Sequence, residues 1–481
     1  MTVCHATPML VHSVLLAAGL AGAAAAGEPT APNRIVARDD YGVDSAFLPP
    51  VIMERHFWNM LPPYPRPDSP QGKAMAEFVG TEPMVRDAAV HYSLKDLRAA
   101  GDDPLAVNAD RLLKMTPDPR RPFIVSTNAG RPPFRCMDDF RVDDTAYRRW
   151  KQEHPNFLGF WTGTEWDNEY IGPLGDPARA VESARKHGLT EEALRRMQAV
   201  LARASADREA AAAGLQECHK ALRRYYFDDP GKMLFLRAGW CLDHYALEWG
   251  AGMTIMETTN TGPYRHQASL FFTRGAARQY GKPWQWYMAT FYNGFDRAGK
   301  ASVNNEPDYI GTRKWEPGEA APGCGMSVSL KRRDMYLAYL SGASLVEHED
   351  WPRVYCQYRN GNPQQWELSP HGEAMQEWYG FTQRYPERGV SYAPVALLVP
   401  FSQGMPQWGG SPWSRFSPER ADAMVDAFFY TVAPFSQNLR EGKEGCLANG
   451  EFGDLYDVLV PNPPSGPIPL ATLLSYKVAI L

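Results

Sequence analysis

The amino-acid sequence predicts an α/β fold: a (β/α)8 TIM barrel followed by a smaller, partial α/β unit. Three observations carry this expectation. Eight short apolar runs alternate with helical patterns between residues 51 and 347, as parallel strands joined by crossover helices require. From residue 392 the pattern changes to continuous aliphatic runs separated by helices, which suits a parallel sheet buried on both faces. A glycine-rich phosphate loop is missing. Gly250-Ala251-Gly252 lacks the third glycine and precedes a strand, so an open dinucleotide-binding sheet is disfavoured.

Composition narrows the class further. The 481 residues are 44% hydrophobic and 22% charged, which excludes disorder as the main state. Fifty Lys and Arg against 55 Asp and Glu leave a net charge of −5. No dense basic patch accompanies it, so no nucleic-acid partner is expected. Residues 9–26 (MLVHSVLLAAGLAGAAAA) form an apolar run ending in small residues before Gly27-Glu28-Pro29. That pattern reads as a signal peptide over 1–26 and predicts a secreted or periplasmic protein. No later window approaches the ~18 apolar residues of a spanning helix, so no membrane association is expected after signal cleavage. Cys4 belongs to the leader; Cys136, Cys218, Cys241, Cys324, Cys356 and Cys446 are widely spaced and form no CxxC. They read as buried or occasionally paired thiols, and no cofactor or metal is expected.

The elements follow in order. Residues 27–48 form an N-terminal extension within a Pro- and aromatic-rich stretch, 28–68, that should wrap over other structure. The barrel is expected over 49–391, with strands near 51–55, 88–92, 123–128, 157–161, 233–237, 253–257, 284–291 and 344–347. A helix over 266–280 stops at Gly281 with Pro283 beyond it, and another over 333–340 leads through Gly342 into the last barrel strand. A long helical stretch over 189–226 opens with Thr190 as N-cap and Glu191 and Glu192 in its first turn. Leu194, Leu201, Leu215 and Leu222 recur at multiples of seven, and Arg208 interrupts them. The expectation is an insertion near 189–227 on the barrel rim, ahead of a coiled-coil partner. Residues 392–481 hold strands at 395–400, 456–461 and 476–481 and a helix over 418–432. Three strands are few for such a unit, and the pattern stops inside the last. Further chain or a partner is therefore expected to complete it, and a homo-oligomer is compatible.

In a barrel, chemistry sits at the C-terminal ends of strands, and three such places stand out. After the fourth strand, 157–170 (FLGFWTGTEWDNEY) offers Trp161, Glu165, Trp166, Asn168, Glu169 and Tyr170. Carboxylates for proton work beside rings that stack on a sugar face suit a glycan site; the plainer reading is a solvated loop. After the sixth, Glu257 ends an apolar run and precedes Thr258, Thr259 and Asn260. A carboxylate there is desolvated and needs partners, whether as a catalytic acid or as an ion pair with Arg265. After the eighth come Glu347, His348, Glu349, Asp350 and Trp351, suited to acid–base work or substrate binding and lacking metal-ligand spacing. Weaker candidates are Asn128, Trp240, Asp243 and Tyr287.

The Asn168-Glu169-Tyr170 that follows a strand resembles the Asn-Glu at the fourth strand of clan A (β/α)8 glycoside hydrolases. Among these, the β-galactosidase-like enzymes of family 42 also place a flavodoxin- or amidotransferase-like domain after the barrel, a layout similar to 392–481. The resemblance implies that Glu169 is the general acid/base. It also implies a nucleophile ending the seventh strand, where 284–291 has no carboxylate; Glu257 and Glu347 end its neighbours, and both stand as candidates. The expected function is a secreted glycoside hydrolase using two carboxylates on a carbohydrate substrate. The alternative is a non-catalytic barrel that binds or scaffolds glycan. Two carboxyls converging within roughly 5–10 Å would favour catalysis.

Overall fold

The computed structural model describes residues 51–53, 69–93, 111–126, 144–162, 170–186, 189–237, 241–259, 263–289, 328–348, 354–362, 364–389, 391–403, 407–408, 411–423 and 455–480. The expected leader and extension lie outside the described residues.

Eight parallel strands close into a barrel in sequence order. They are β1 (Val51–Met53), β2 (Ala89–Ser93), β3 (Phe123–Ser126), β4 (Phe157–Trp161), β5 (Met233–Arg237), β6 (Met253–Thr259), β7 (Trp284–Ala289) and β8 (Leu345–His348). Pairing of Val51 with Glu347 closes the ring. Residues 54–55, 127–128 and 290–291, expected within β1, β3 and β7, lie outside the described residues. Side chains alternate with period two along each strand. Ala89, Ile124, Trp161, Leu234, Met253, Ile255, Tyr287 and Leu345 cluster inside the barrel. Their sequence neighbours Val90, Phe123, Phe160 and Phe235 pack outward against helices. With both faces covered, a polar side chain on the inner face has only other inner residues to satisfy it.

The stretch 189–226 is two helices where the leucine spacing suggested one. Thr190 caps α1 (Glu191–Ala204), accepting from the Ala193 N–H at 3.2 Å. Asp207 caps α2 (Arg208–Tyr225), accepting from the Ala210 N–H at 2.7 Å. Arg208, the misfit in the leucine series, sits at this junction and pairs with Asp422 at 2.6 Å. All four leucines are buried in the cluster that also holds the outer faces of β3, β4 and β5.

Beyond β5, α3 (Leu242–Glu248) precedes β6, and α4 (Pro263–Tyr280) links β6 to β7. α4 begins three residues before the expected start. It ends as the sequence suggested: Gly281 takes the left-handed φ of 61° and the Lys282 N–H reaches the Ala277 carbonyl at 2.9 Å. α5 (Val328–Ser341) precedes β8, an antiparallel hairpin of β9 (Cys356–Tyr358) and β10 (Trp366–Leu368) follows it, and α6 (Pro370–Arg384) comes next.

The C-terminal region carries β11 (Val395–Leu398), the short antiparallel pair β12 (Gln407–Trp408) and β13 (Ser411–Pro412), β14 (Tyr456–Leu459) and β15 (Val478–Ile480). β11, β14 and β15 form a parallel sheet in the order β14-β11-β15. This sheet lies on α4. A Cβ at Gly275 would come within 1.9 Å of the Val458 carbonyl oxygen, so only glycine admits the contact. Beside it Arg274 Nε donates to Asp457 at 2.7 Å, Arg278 donates to the other Asp457 oxygen, and Gln279 exchanges two hydrogen bonds with Val460 at 3.0 and 2.9 Å. Leu397, Val399, Val458 and Val460 belong to the same hydrophobic cluster as the barrel's outer face. Of the expected helix over 418–432, residues 420–423 are helical and the rest lies outside the described residues. Among the described residues, no helix is long and apolar enough to cross a membrane.

Candidate active site

β6, β7 and β8 bring two of the sequence-identified acids to one wall. Glu257 pairs with Tyr287, and Tyr287 pairs with Glu347. The three residues therefore form one row across adjacent strands. Two strand spacings of about 4.8 Å put the two glutamate Cα atoms roughly 10 Å apart along the wall. Parity sets their direction. Thr258 faces outward, where its Oγ1 accepts from Trp286 Nε1 at 2.7 Å, so Glu257 faces inward with Met253 and Ile255. Val346 likewise packs outward, so Glu347 faces inward. Glu257 is half-buried, whereas Glu347 is fully enclosed.

Glu347 is held by two residues from other strands. His91 on β2 donates from Nδ1 to Oε1 at 2.6 Å, and Gln285 on β7 donates from Nε2 to Oε2 at 2.5 Å. Trp161 on β4 packs at a steep angle to the His91 ring, centroids 5.3 Å apart, and lies 5.9 Å from the Tyr287 ring. The cluster is not internally complete. Among the described residues, His91 Nε2, Gln285 Oε1 and Trp161 Nε1 are buried without a hydrogen-bond partner. Each such atom costs about 1–3 kcal/mol relative to a paired one, and others of the kind occur in the outer layers, at Trp150 and Trp366. His91 and Gln285 escaped the sequence reading; the available signal was a single polar residue at an inward position of an apolar run.

Two sequence candidates turn away from the barrel mouth. Tyr170 is buried in the helical layer, where its hydroxyl donates to the Ala211 carbonyl at 2.8 Å and lies against Gly214. Burial pushes its phenol pKa up. It is a core residue because its hydroxyl fills the notch that Gly214 leaves, so the substrate-binding expectation for it is corrected. His348 follows Glu347 by one residue and therefore faces outward, toward Lys331 and His371. It is fully buried, and burial, helped by those two neighbours, pushes its pKa well below the ordinary value. It too is corrected from mouth to outer layer. Of the weaker candidates, Asp243 is buried and accepts from Thr254 and from Thr273, the latter at 2.9 Å. Glu165, Trp166, Asn168, Glu169, Asn260, Glu349, Trp351, Asn128 and Trp240 lie outside the described residues. Among the described residues no group of His, Cys, Asp and Glu has the arrangement to hold a metal ion.

No protein-family model and no curated protein sequence matches the chain. Solved structures similar to it include a β-galactosidase from the Antarctic haloarchaeon Halorubrum lacusprofundi, at 10% identity and a TM-score of 0.42 over 85% of this chain and 66% of that one. Another is α-L-fucosidase isoenzyme 2 from Paenibacillus thiaminolyticus, at 12% identity and a TM-score of 0.35 over 86% of this chain and 56% of that one. The likeness is remote. Both neighbours are glycoside hydrolases, and this chain spans just under two thirds of the first and just over half of the second.

Proposed function

We propose that the chain is an exported glycoside hydrolase that cleaves a glycan with paired carboxylates. The observation that carries the reading is the row Glu257–Tyr287–Glu347 on the inner wall, beside Trp161. Glycoside cleavage needs one protonated carboxyl to assist the leaving oxygen and one ionised carboxylate to attack the anomeric carbon or activate water. Glu169 is assigned the acid role, from the Asn168-Glu169 resemblance. Glu257 takes the ionised role, being the inward carboxylate that remains half-open. Trp161 and Tyr287 supply ring faces for the sugar. A second reading has its own support: Glu347 is fully enclosed with both oxygens engaged, which suits a barrel that binds glycan without cleaving it.

A panel of aryl glycosides and polysaccharides separates the two. Cleavage is expected, and Glu169→Gln together with Glu257→Gln or Glu347→Gln should lower kcat by on the order of 10²-fold or more. Saturable binding with no turnover on any substrate favours the non-catalytic barrel. Full turnover in all three variants moves the site elsewhere.

A further inference from the structure

Outside the barrel, behind the strand that carries Glu347, three basic side chains stand at positions their elements otherwise give to apolar residues. On α5 the buried stripe runs Val328, Lys331, Met335 and Ala338; on α6 it runs His371, Ala374, Met375 and Trp378. On β8 the outward positions are Val346 and His348. Apart from the three bases, all of these pack into one hydrophobic cluster with Trp286 and Met288 of β7. Lys331 and His371 are 0% exposed and His348 is 1% exposed. His348 feels the charge of both others, and neither of its ring nitrogens has a hydrogen-bond partner.

The charged groups packed around this seam are engaged elsewhere or turned away. Asp334 of α5 meets Arg333 at 3.4 Å, and Glu377 of α6 pairs with Arg332 at 3.0 Å. Glu373 of α6 is exposed. Glu82 receives the Gln376 amide at 2.7 Å and the Tyr355 hydroxyl at 3.2 Å. Arg388 donates to the Tyr339 carbonyl at 3.0 Å near the end of α5, and Glu347 faces the barrel interior. Among the described residues no carboxylate acts on His348. A proton there would set a cation among apolar side chains beside two further bases, so burial first, then Lys331 and His371, hold its pKa well below the ordinary value. Released to water, the same ring takes a proton near 6.5. Below that pH the opened form binds more protons than the packed one, and acid favours opening.

We propose that the Lys331–His348–His371 seam is an acid-sensitive latch: acidification parts α5 and α6 from β8 and loosens the strand that closes the ring and carries Glu347. The latch stands whether or not the barrel cleaves glycan.

The test is hydrogen exchange by mass spectrometry on the full chain at pH 7.5 and 5.5, corrected for intrinsic exchange and read in peptides of α5, β8 and α6. From the ordinary histidine pKa of about 6.5, the opening constant should rise about 10-fold between the two. It should also exceed the global unfolding constant obtained from urea titration at the same pH. His348→Met gives up no hydrogen bond and should cut the rise to under about 2-fold in these peptides, while peptides of α2, which hold the buried His219, keep their own response. A wild-type opening constant that stays flat with pH overturns the latch without recourse to any variant. So does exchange of α5, β8 and α6 through global unfolding alone. An unchanged acid response in His348→Met, or its loss in α2 as well, overturns it too.

Discussion

Glu347 in the barrel and Asp457 in the C-terminal sheet are equally hidden from solvent and differ in their company. Asp457 faces the guanidiniums of Arg274 and Arg278 and receives the Tyr476 hydroxyl at 2.8 Å. Burial by itself raises the Asp457 pKa; the two guanidiniums outweigh burial and hold the carboxyl below its usual range. Glu347 meets an imidazole and an amide; among the described residues His91, Gln285 and, beside Asp457, Arg278 each keep a buried polar atom without a hydrogen-bond partner. A buried acid balanced by opposite charge does structural work at a seam. One held by an imidazole and an amide, beneath the mouth of a barrel, has no such pair of guanidiniums beside it.

The sharpest attempt to break this contrast is Asp457→Asn. It leaves two buried guanidiniums uncompensated and should cost about 3–5 kcal/mol of stability, read from the urea midpoint, with kcat of the folded protein unchanged. A loss below about 1 kcal/mol would erase the distinction. Acid titration probes the outer layers. Burial, helped by Arg223 and Lys220, pushes His219 down to about 3. Burial also takes His244 to about 3 against opposing pulls from its Val458 hydrogen bond and Asp457, and it depresses His348 strongly. Folded histidines thus stay neutral while unfolded ones protonate below about 6.5. The unfolded state binds more protons there, so stability is full above that pH and declines as pH falls through 6 and below. At pH 5.5 the three together should cost about 4 kcal/mol, seen as a lower urea midpoint; a flat midpoint from pH 7.5 to 5.5 would mean these sites open to water. The smallest effect is expected for Glu347→Gln. Its partners carry no fixed opposite charge to strand, so stability should drop by about 1–2 kcal/mol. A loss as large as that of Asp457→Asn would recast Glu347 as scaffold.

The barrel was legible because each of its strands is an apolar run with a turn after it, and that signal survives even for a strand as short as Val51–Met53. Glu257 and Glu347 were legible for a related reason: an acid ending such a run has few other places to point. His91 and Gln285 were not, because one polar residue inside AVHYS or WQWYMA reads as noise until the inward set of neighbouring strands is known. Tyr170 and His348 were misplaced by proximity. Each is close in sequence to an acid at a strand end, yet helix phase sends Tyr170 to the Ala211 carbonyl and strand parity sends His348 to the outer layer. The division into α1 and α2 had a visible cue in Arg208, whose misfit marks the point where the chain reverses.

The notch at Gly275 bears on how this protein could have been assembled over evolutionary time. α4 follows directly on β6, the strand that carries Glu257, and its far side is shaped to the last detail for one foreign backbone: a missing Cβ for the Val458 carbonyl, two arginines for Asp457, one amide for Val460. A helix so tailored is a poor exchange part. Cut away, the sheet would leave a groove and two stranded cations on the barrel flank, and a different C-terminal cassette would inherit contacts it cannot meet. Recombination is therefore expected to have moved barrel and sheet as a pair, with variation confined to the loops between them.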